Sequence, residues 1–510
     1  MPERNSESRN LELVERLTEI GIALSSERNL DSLLHRIVLE GRKFTSADAG
    51  SLYLIEDGAL VFKVAQNETL KRQAKPEGEF DFQLPLSRKS IAGYVALTGQ
   101  PVNIEDVYVI PPEAEYRWYP EFDKQTGYKT VSTLAVPMRD HRGETIGVLQ
   151  LINSQDLAGR IVPFQRQYEK LVTSLASQAA VAVTNVRLIE HIRELFSAFV
   201  RYSAAAIDAR SHYTEGHTRR VAEISLRVAR AINEETTGEL ADMNFSDEEI
   251  EELNYAAWLH DIGKIGVKEH VLDKAARLFM GPRIDVITNR FESIKKGIIA
   301  DGAQRKIDKL QRGDPEPDLV SIDREINEQL SQVDDDLEFI LTVNKANWIS
   351  DEQRDRVNAV AKKTFTASDG TPRRYLQPDE VRHLTVGRGN LTVEEYNEVQ
   401  THVEQTLRIV EKIPFTSELR NVPLYAASHH EKLTGQGYPR GLKGDDIPVQ
   451  ARILAAADIF EALTAKDRPY KAPIPLEKAL DILREEADAG HLDKRIVDLI
   501  IRRNLYEGIE

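Results

Sequence analysis

His260-Asp261-Ile262-Gly263-Lys264-Ile265-Gly266 follows directly on the apolar run Leu253 to Leu259. The run reads as helical, so a neutral imidazole nitrogen and an anionic carboxylate are offered at a single point. Divalent ions of borderline or hard character take that mixture of donors. Asp261 can reach two ions through its two oxygens. Lys264, read as one helical turn after His260, can bring an ammonium to a phosphate held there. A lone His-Asp pair is most often structural, so the string gains meaning only from what accompanies it.

Working outward, His217 lies in Tyr213-Thr214-Glu215-Gly216-His217-Thr218-Arg219-Arg220-Val221, and His402 ends Glu395-Tyr396-Asn397-Glu398-Val399-Gln400-Thr401-His402. His429 and His430 are adjacent in Ser428-His429-His430-Glu431, and Asp458 follows the apolar run Ile453 to Ala457. Counting His212, six of the 12 histidines fall in these strings. Any one of them could be a satisfied core histidine. Several at apolar helical positions more naturally share a buried metal, because burying many unpaired imidazoles is costly.

These strings, with Gly435-Gln436-Gly437-Tyr438-Pro439, Asp458-Ile459-Phe460-Glu461-Ala462-Leu463-Thr464 and Arg468-Pro469-Tyr470-Lys471, resemble an HD-GYP domain, a branch of the HD superfamily of metal-dependent phosphohydrolases. The resemblance runs from about 195 to 275 and resumes from about 390 to 505. It implies hydrolysis of cyclic di-GMP to linear pGpG, with GMP as the product of any second cleavage. It implies two divalent ions, iron or manganese, on His217, His260, Asp261, His402, His429, His430 and Asp458. Asp261 and Lys264 would carry the chemistry. Lys264, Gly437, Tyr438, Pro439, Arg468 and Lys471 would meet the substrate. Tyr213 stands where members with a third metal carry Glu, which favours two ions. Ser211 and Thr434 stand where Asp is common, and neither change removes an implied ligand. A non-catalytic receptor for the dinucleotide, or a protein-interaction module, is the competing reading. Hydrolysis of a mixed cyclic dinucleotide is a third.

The N-terminal part has another texture. Leu13, Leu17, Ile20 and Leu24 mark one helical face, and Asp31 is a candidate cap for a second helix. Ser51 to Ile55 and Leu60 to Val64 flank the turn Glu56-Asp57-Gly58, and Thr133 to Met138 and Thr145 to Ile152 flank Asp140 to Gly143. Ser90 to Leu97 predicts a short helix, and Asn103 to Gly127 a long loop over a pocket. Helices outside and hairpins inside give an α+β domain. The strings Ser90-Ile91-Ala92-Gly93-Tyr94-Val95, Thr126-Gly127-Tyr128-Lys129-Thr130 and Ile146 to Asn153 resemble a GAF domain. The cyclic-nucleotide signature of such domains begins Asn-Lys and ends Asp-Glu. Here Asn153 precedes Ser154, and Tyr168-Glu169 stands at the end, so the signature's Lys and Asp are both absent. The resemblance implies a sensory module, either one that takes an unidentified small ligand or a ligand-free regulatory or dimerisation module.

The expected plan is a multidomain chain: a GAF-like domain over 11–185, a connecting signalling helix over 168–209, and an all-α HD-GYP domain over 195–505. A helical insertion occupies 279–388, broken at Arg312-Gly313-Asp314-Pro315-Glu316-Pro317. The connecting helix, with Leu171, Leu175, Ala182, Val186 and Ile189 on one stripe, would pair two copies into a homodimer. At 510 residues the chain is too long for one core. A formal net charge of -16 argues against a nucleic-acid polymer as partner, and no cysteine is present for disulfide, thiolate-metal or thiol chemistry. Met1 to Asn10 is polar, and no apolar stretch of membrane-spanning length is expected, so the predicted location is cytoplasmic.

Overall fold

The computed structural model describes every residue except 1–14, 16, 73–82, 119, 210–215, 279–282, 313–317, 368, 466–473 and 510. The chain divides into two compact units, Met1–Phe196 and Ser197–Glu510.

In the first unit, helix α1 (Leu30–Thr45) leads into an antiparallel sheet of β1 (Ala47–Glu56), β2 (Ala59–Asn67), β3 (Gln83–Pro85), β4 (Val102–Ile104), β5 (Thr133–Arg139), β6 (Thr145–Gln155) and β7 (Ile161–Val162). The strand order is β3-β2-β1-β6-β5-β4, with β7 on β6. The two expected hairpins form: Glu56 pairs with Ala59 across the first turn, and Arg139 with Thr145 across the second. Alternation sorts the side chains. Leu52, Leu54, Leu134, Val136, Leu149 and Leu151 face a core shared with α1 and with Val172 to Val186 of the long helix α3 (Arg166–Asp208). Tyr53, Ala135 and Val148 face the other side, where helix α2 (Ile91–Thr98) and the aromatic rings of Phe62, Tyr94, Tyr116 and Trp118 gather.

Three local expectations change. Asn29, rather than Asp31, caps α1, because its side chain accepts the Ser32 N–H at 2.9 Å while Asp31 lies within the first turn. The stretch from 103 to 127 is not all loop: β4, a 3-10 turn at Val107–Val109 and a helix at Glu121–Thr126 interrupt it. The stripe expected to pair two copies lies instead in or against the first unit's own core at Leu171, Leu175, Ala182 and Val186, and only Ile189 of it is exposed. Helix α3 is also long and apolar enough, by length and composition, to cross a membrane, although part of it lies in the core of the first unit.

The second unit is helical. Its main core joins α4 (His217–Asn233), α5 (Asp247–Leu259), α12 (Val449–Thr464), α13 (Leu476–Asp488) and α14 (Lys494–Arg502). A separate core holds α6 (Arg283–Gln311), α7 (Leu319–Lys345), α8 (Asp351–Lys362) and α9 (Pro378–Leu384). Within that region Thr364–Thr366 pairs with Pro372–Arg374, a small hairpin where only helix was expected. The break at 313–317 lies outside the described residues. Two buried cations brace the point where this region leaves and rejoins the chain. Arg277 donates to the carbonyls of Ala346, at 3.1 Å, and of Val386. Lys274 bonds to Glu395 at 2.6 Å. Glu395 also closes the capping box of α10 (Val393–Val410), which begins the return to the main core.

Candidate metal centre

Helix α5 starts at a Ser246–Glu249 capping box and stops at Leu259. There the chain tightens into a 3-10 turn, Ile262–Gly266. Lys264 therefore does not follow His260 along one α-helix, as the sequence reading had it. The turn is packed closely against α10. A Cβ on Gly263 would stand 1.9 Å from the His402 carbonyl oxygen and 2.4 Å from the Thr406 nitrogen, so only glycine lets this turn lie on α10. Thr406 completes the seam: its hydroxyl donates to the His260 carbonyl at 2.9 Å and accepts the Gly263 N–H at 3.0 Å. His260, Asp261 and His402 are thus set by one contact between two elements.

His429 and His430 follow the short helix α11 (Val422–Ala426). Glu431 folds the next segment back on them, accepting the backbone N–H of Arg440 and of Leu442, each at 2.8 Å. Inside that loop Gly437 has no room for a Cβ, which would sit 2.4 Å from the Lys432 nitrogen. Tyr438 stacks on His430 with ring centroids 4.8 Å apart. Pro439 closes the same loop. Asp458 comes from the middle of α12, and His217 opens α4.

All seven residues converge. His217, His260 and Asp458 form one group able to hold an ion, His402, His429 and His430 another, and His260, Asp261 and His429 a third, each with ligand atoms within 4.8 Å of one another. Asp261 stands between them. Its Oδ2 lies 3.5 Å from His217 Nε2 and 3.3 Å from His260 Nε2, and its Oδ1 lies 3.4 Å from His402 Nε2. Asp458 Oδ1 lies 3.3 Å from His217 Nε2. Lys264 Nζ rests 2.5 Å from Asp261 Oδ2, with its side chain still 23% exposed.

The donor state of the rings can be read from their partners. His260, His402 and His429 each place Nδ1 against the carbonyl three residues back, at 2.6, 2.5 and 2.6 Å. A carbonyl only accepts, so Nδ1 carries the proton and Nε2 presents a lone pair. All three Nε2 atoms are buried and have no hydrogen-bond partner, even where Asp261 is close. Orphaned buried acceptors are uncommon and costly. Three of them gathered beside Asp261 and Asp458, with imidazole and carboxylate donors mixed, fit bound divalent cations.

Charge follows the same division. Burial, with His430 and His260 nearby, holds His429 well below the ordinary imidazole value, and burial holds His430 down to about 4. Burial also lowers His402. For His217 burial is outweighed by Asp261, Asp458 and Glu461, and its pKa is raised. Burial is likewise outweighed at Asp261, which Lys264 above all keeps ionised.

Arg468 and Lys471 lie outside the described residues, as do His212, Tyr213 and Glu215. Sequence reasoning passed over two residues here. Glu461 accepts from His217 Nδ1, and Arg220 pairs with Glu461 at 2.7 Å. The available signal was spacing: Glu461 lies three residues after Asp458, and Arg220 three after His217, on shared helix faces.

Comparison with known proteins gives the same partition. Residues 29–183 match the GAF domain model, and residues 214–305 and 375–496 match two HD domain models. The 3'3'-cGAMP-specific phosphodiesterase 1 of Vibrio cholerae serotype O1 is 38% identical over 127 residues, covering 25% of this chain and 28% of that protein. The 3'3'-cGAMP-specific phosphodiesterase 3 of the same organism is 45% identical over 97 residues, 19% of this chain and 20% of that protein. Its probable cyclic di-GMP phosphodiesterase is 36% identical over 118 residues, 22% of this chain and 26% of that protein. Each match therefore spans less than a third of the relative. Among solved structures, the GAF domain of a Coxiella burnetii phosphoenolpyruvate-protein phosphotransferase aligns at 21% identity over 36% of this chain and 98% of that one, with a TM-score of 0.28.

Proposed function

We propose, for this member of the HD-GYP family with an N-terminal GAF domain, that the second unit is a metal-dependent cyclic-dinucleotide phosphodiesterase. Its substrate is cyclic di-GMP and its first product linear pGpG. The observation that carries this reading is the trio of orphaned Nε2 atoms of His260, His402 and His429 gathered at Asp261, whose two oxygens lie near His217 and His260 on one side and His402 on the other. Two ions bound there would activate water and offset charge on a phosphodiester.

The chain's own residues do the rest. Asp261 directs one oxygen to each side, which suits a bridging carboxylate. Lys264, tethered to Asp261 and partly exposed, offers positive charge where a phosphoryl oxygen becomes more negative. Tyr438, stacked on His430, forms an aromatic wall beside the centre on which a base can lie. The names of the relatives favour a second substrate reading, 3'3'-cGAMP, on the same site.

The GAF domain is the regulatory partner in this reading and takes a small ligand. The chain acts as a cytoplasmic homodimer through α3. Exposed Val181, Leu188, Ile192, Leu195, Phe199 and Tyr202 support that pairing, because they recur at spacings of seven and then alternating four and three residues, the seam of a coiled coil. Light scattering of the full chain tests it, with Leu195→Glu expected to shift the mass from two chains to one.

The activity test uses manganese- or iron-loaded full chain with cyclic di-GMP and 3'3'-cGAMP in separate reactions, followed by product analysis. Linear dinucleotide is expected from wild type, and none from Asp261→Ala or His429→Ala. Undiminished turnover in both variants would remove the site. Binding without turnover would favour the receptor reading.

A further inference from the structure

The described histidines of the centre are not held alike. His260, His402 and His429 are each oriented by a carbonyl of their own backbone, three residues earlier. His217 is the first residue of α4, behind a Gly216 cap with φ 77°. Its Nδ1 meets the Oε2 of Glu461 from α12 instead. Glu461 is buried, with a side chain 3% exposed. Its second oxygen, Oε1, accepts from Arg220 Nε at 2.8 Å and from the Arg220 terminal nitrogen at 2.7 Å. Because Asp458 and Glu461 are one turn apart on α12, that helix meets both edges of the His217 ring: Asp458 Oδ1 lies 3.3 Å from Nε2, and Glu461 touches Nδ1.

A carboxylate on Nδ1 does two things that a carbonyl does less well. It fixes the ring by a charge-assisted hydrogen bond, and it pushes electron density toward Nε2, which strengthens that nitrogen as a ligand. Arg220 keeps Glu461 anionic and in place, since a lone buried carboxylate would be costly.

We propose that Glu461, held by Arg220, is a positioning residue for one of the two ion sites. It sets the tautomer and direction of His217 and so strengthens the His217–His260–Asp458 group, while the His402–His429–His430 group does not depend on it. The inference rests on reading these groups as a metal centre and goes beyond it by making the two sites unequal in a way that can be broken separately.

The test is titration of metal-free full chain with Mn2+, following free and bound ion by electron paramagnetic resonance. Wild type should bind two ions per chain. Glu461→Ala should weaken one binding step by about 10–100-fold. The near-isosteric Glu461→Gln, which keeps an acceptor but loses the charge, should weaken the same step by less. His430→Ala should weaken the other step, and in Glu461→Gln/His430→Ala both should be weak. Two unchanged steps in Glu461→Ala would overturn the inference while leaving the metal centre standing, whereas no binding by wild type would remove both. Circular dichroism checks that each variant is folded. Should Glu461→Ala not fold, Glu461→Gln decides: two steps at wild-type affinity there overturn the proposal.

Discussion

Two buried polar networks, one in each unit, make an instructive pair. In the first unit Tyr128 donates to Asp48 at 2.8 Å and accepts from Asn153 at 2.9 Å. The Asn153 amide also donates to the Lys129 carbonyl at 2.8 Å, and its oxygen accepts the Val131 N–H at 2.7 Å. Asp123 spends both oxygens on Thr130, at 2.8 and 2.9 Å. Every donor named there meets an acceptor, and the result is a loop locked to the sheet. In the second unit the imidazoles of His260, His402 and His429 have one nitrogen satisfied and the other left over. A closed network contributes to holding a fold. One with several leftover lone pairs aimed at a common point is incomplete without something that accepts them. Buried polar groups alone therefore do not mark a site, whereas the pattern of their unmet valences does.

The comparison can be broken most severely at Asp261. Asp261→Ala removes the carboxylate that stands between the ligand groups, so turnover should fall to background and bound metal should drop below one ion per chain, as measured by elemental analysis beside product formation. Lys264→Met should cost about 100-fold in kcat through loss of a positioned charge, with metal content unchanged. If metal content falls as well, Lys264 belongs to assembly of the site rather than to its chemistry.

On the other side of the comparison, Tyr128→Phe leaves Asp48 and Asn153 short of a partner. It should destabilise the first unit by about 1–3 kcal/mol in denaturant unfolding, with Mn2+ stoichiometry unaltered. The smallest effect concerns protons. His430 is held to about 4 in the ion-free fold, against 6.5 for a free imidazole. Between those values the unfolded chain takes up a proton that the native chain does not, so this residue's contribution to stability is constant above pH 6.5 and declines as pH falls toward 4. Thermal melts of ion-free wild type and His430→Gln across that range should show the steeper loss in wild type. Parallel curves would mean that His430 is solvated.

Much of this was legible in the chain. Imidazoles and carboxylates at apolar helical positions stand out because such positions rarely tolerate them, and His217, His260, Asp261, His402, His429, His430 and Asp458 were all identifiable on that basis together with the family resemblance. The hairpins of the first unit were legible from Asp57-Gly58 and from the turn before Gly143. Other features depend on packing that no local pattern records. The need for glycine at position 263 follows from the closeness of α10, more than 130 residues later in the chain. The strands Thr364–Thr366 and Pro372–Arg374 are three residues each and largely exposed, so they carry no alternation to read. Glu461 was visible as an acid on an apolar helix, but its partner could be identified only once His217 was seen to open its own helix.

The most direct test is a crystal structure of the Mn2+-loaded chain with anomalous scattering recorded at the manganese edge. Two peaks should flank Asp261, one touching His217, His260 and Asp458 and the other touching His402, His429 and His430, with one oxygen of Asp261 on each. A single peak, or two that leave the Asp261 carboxylate uncoordinated, would contradict the account.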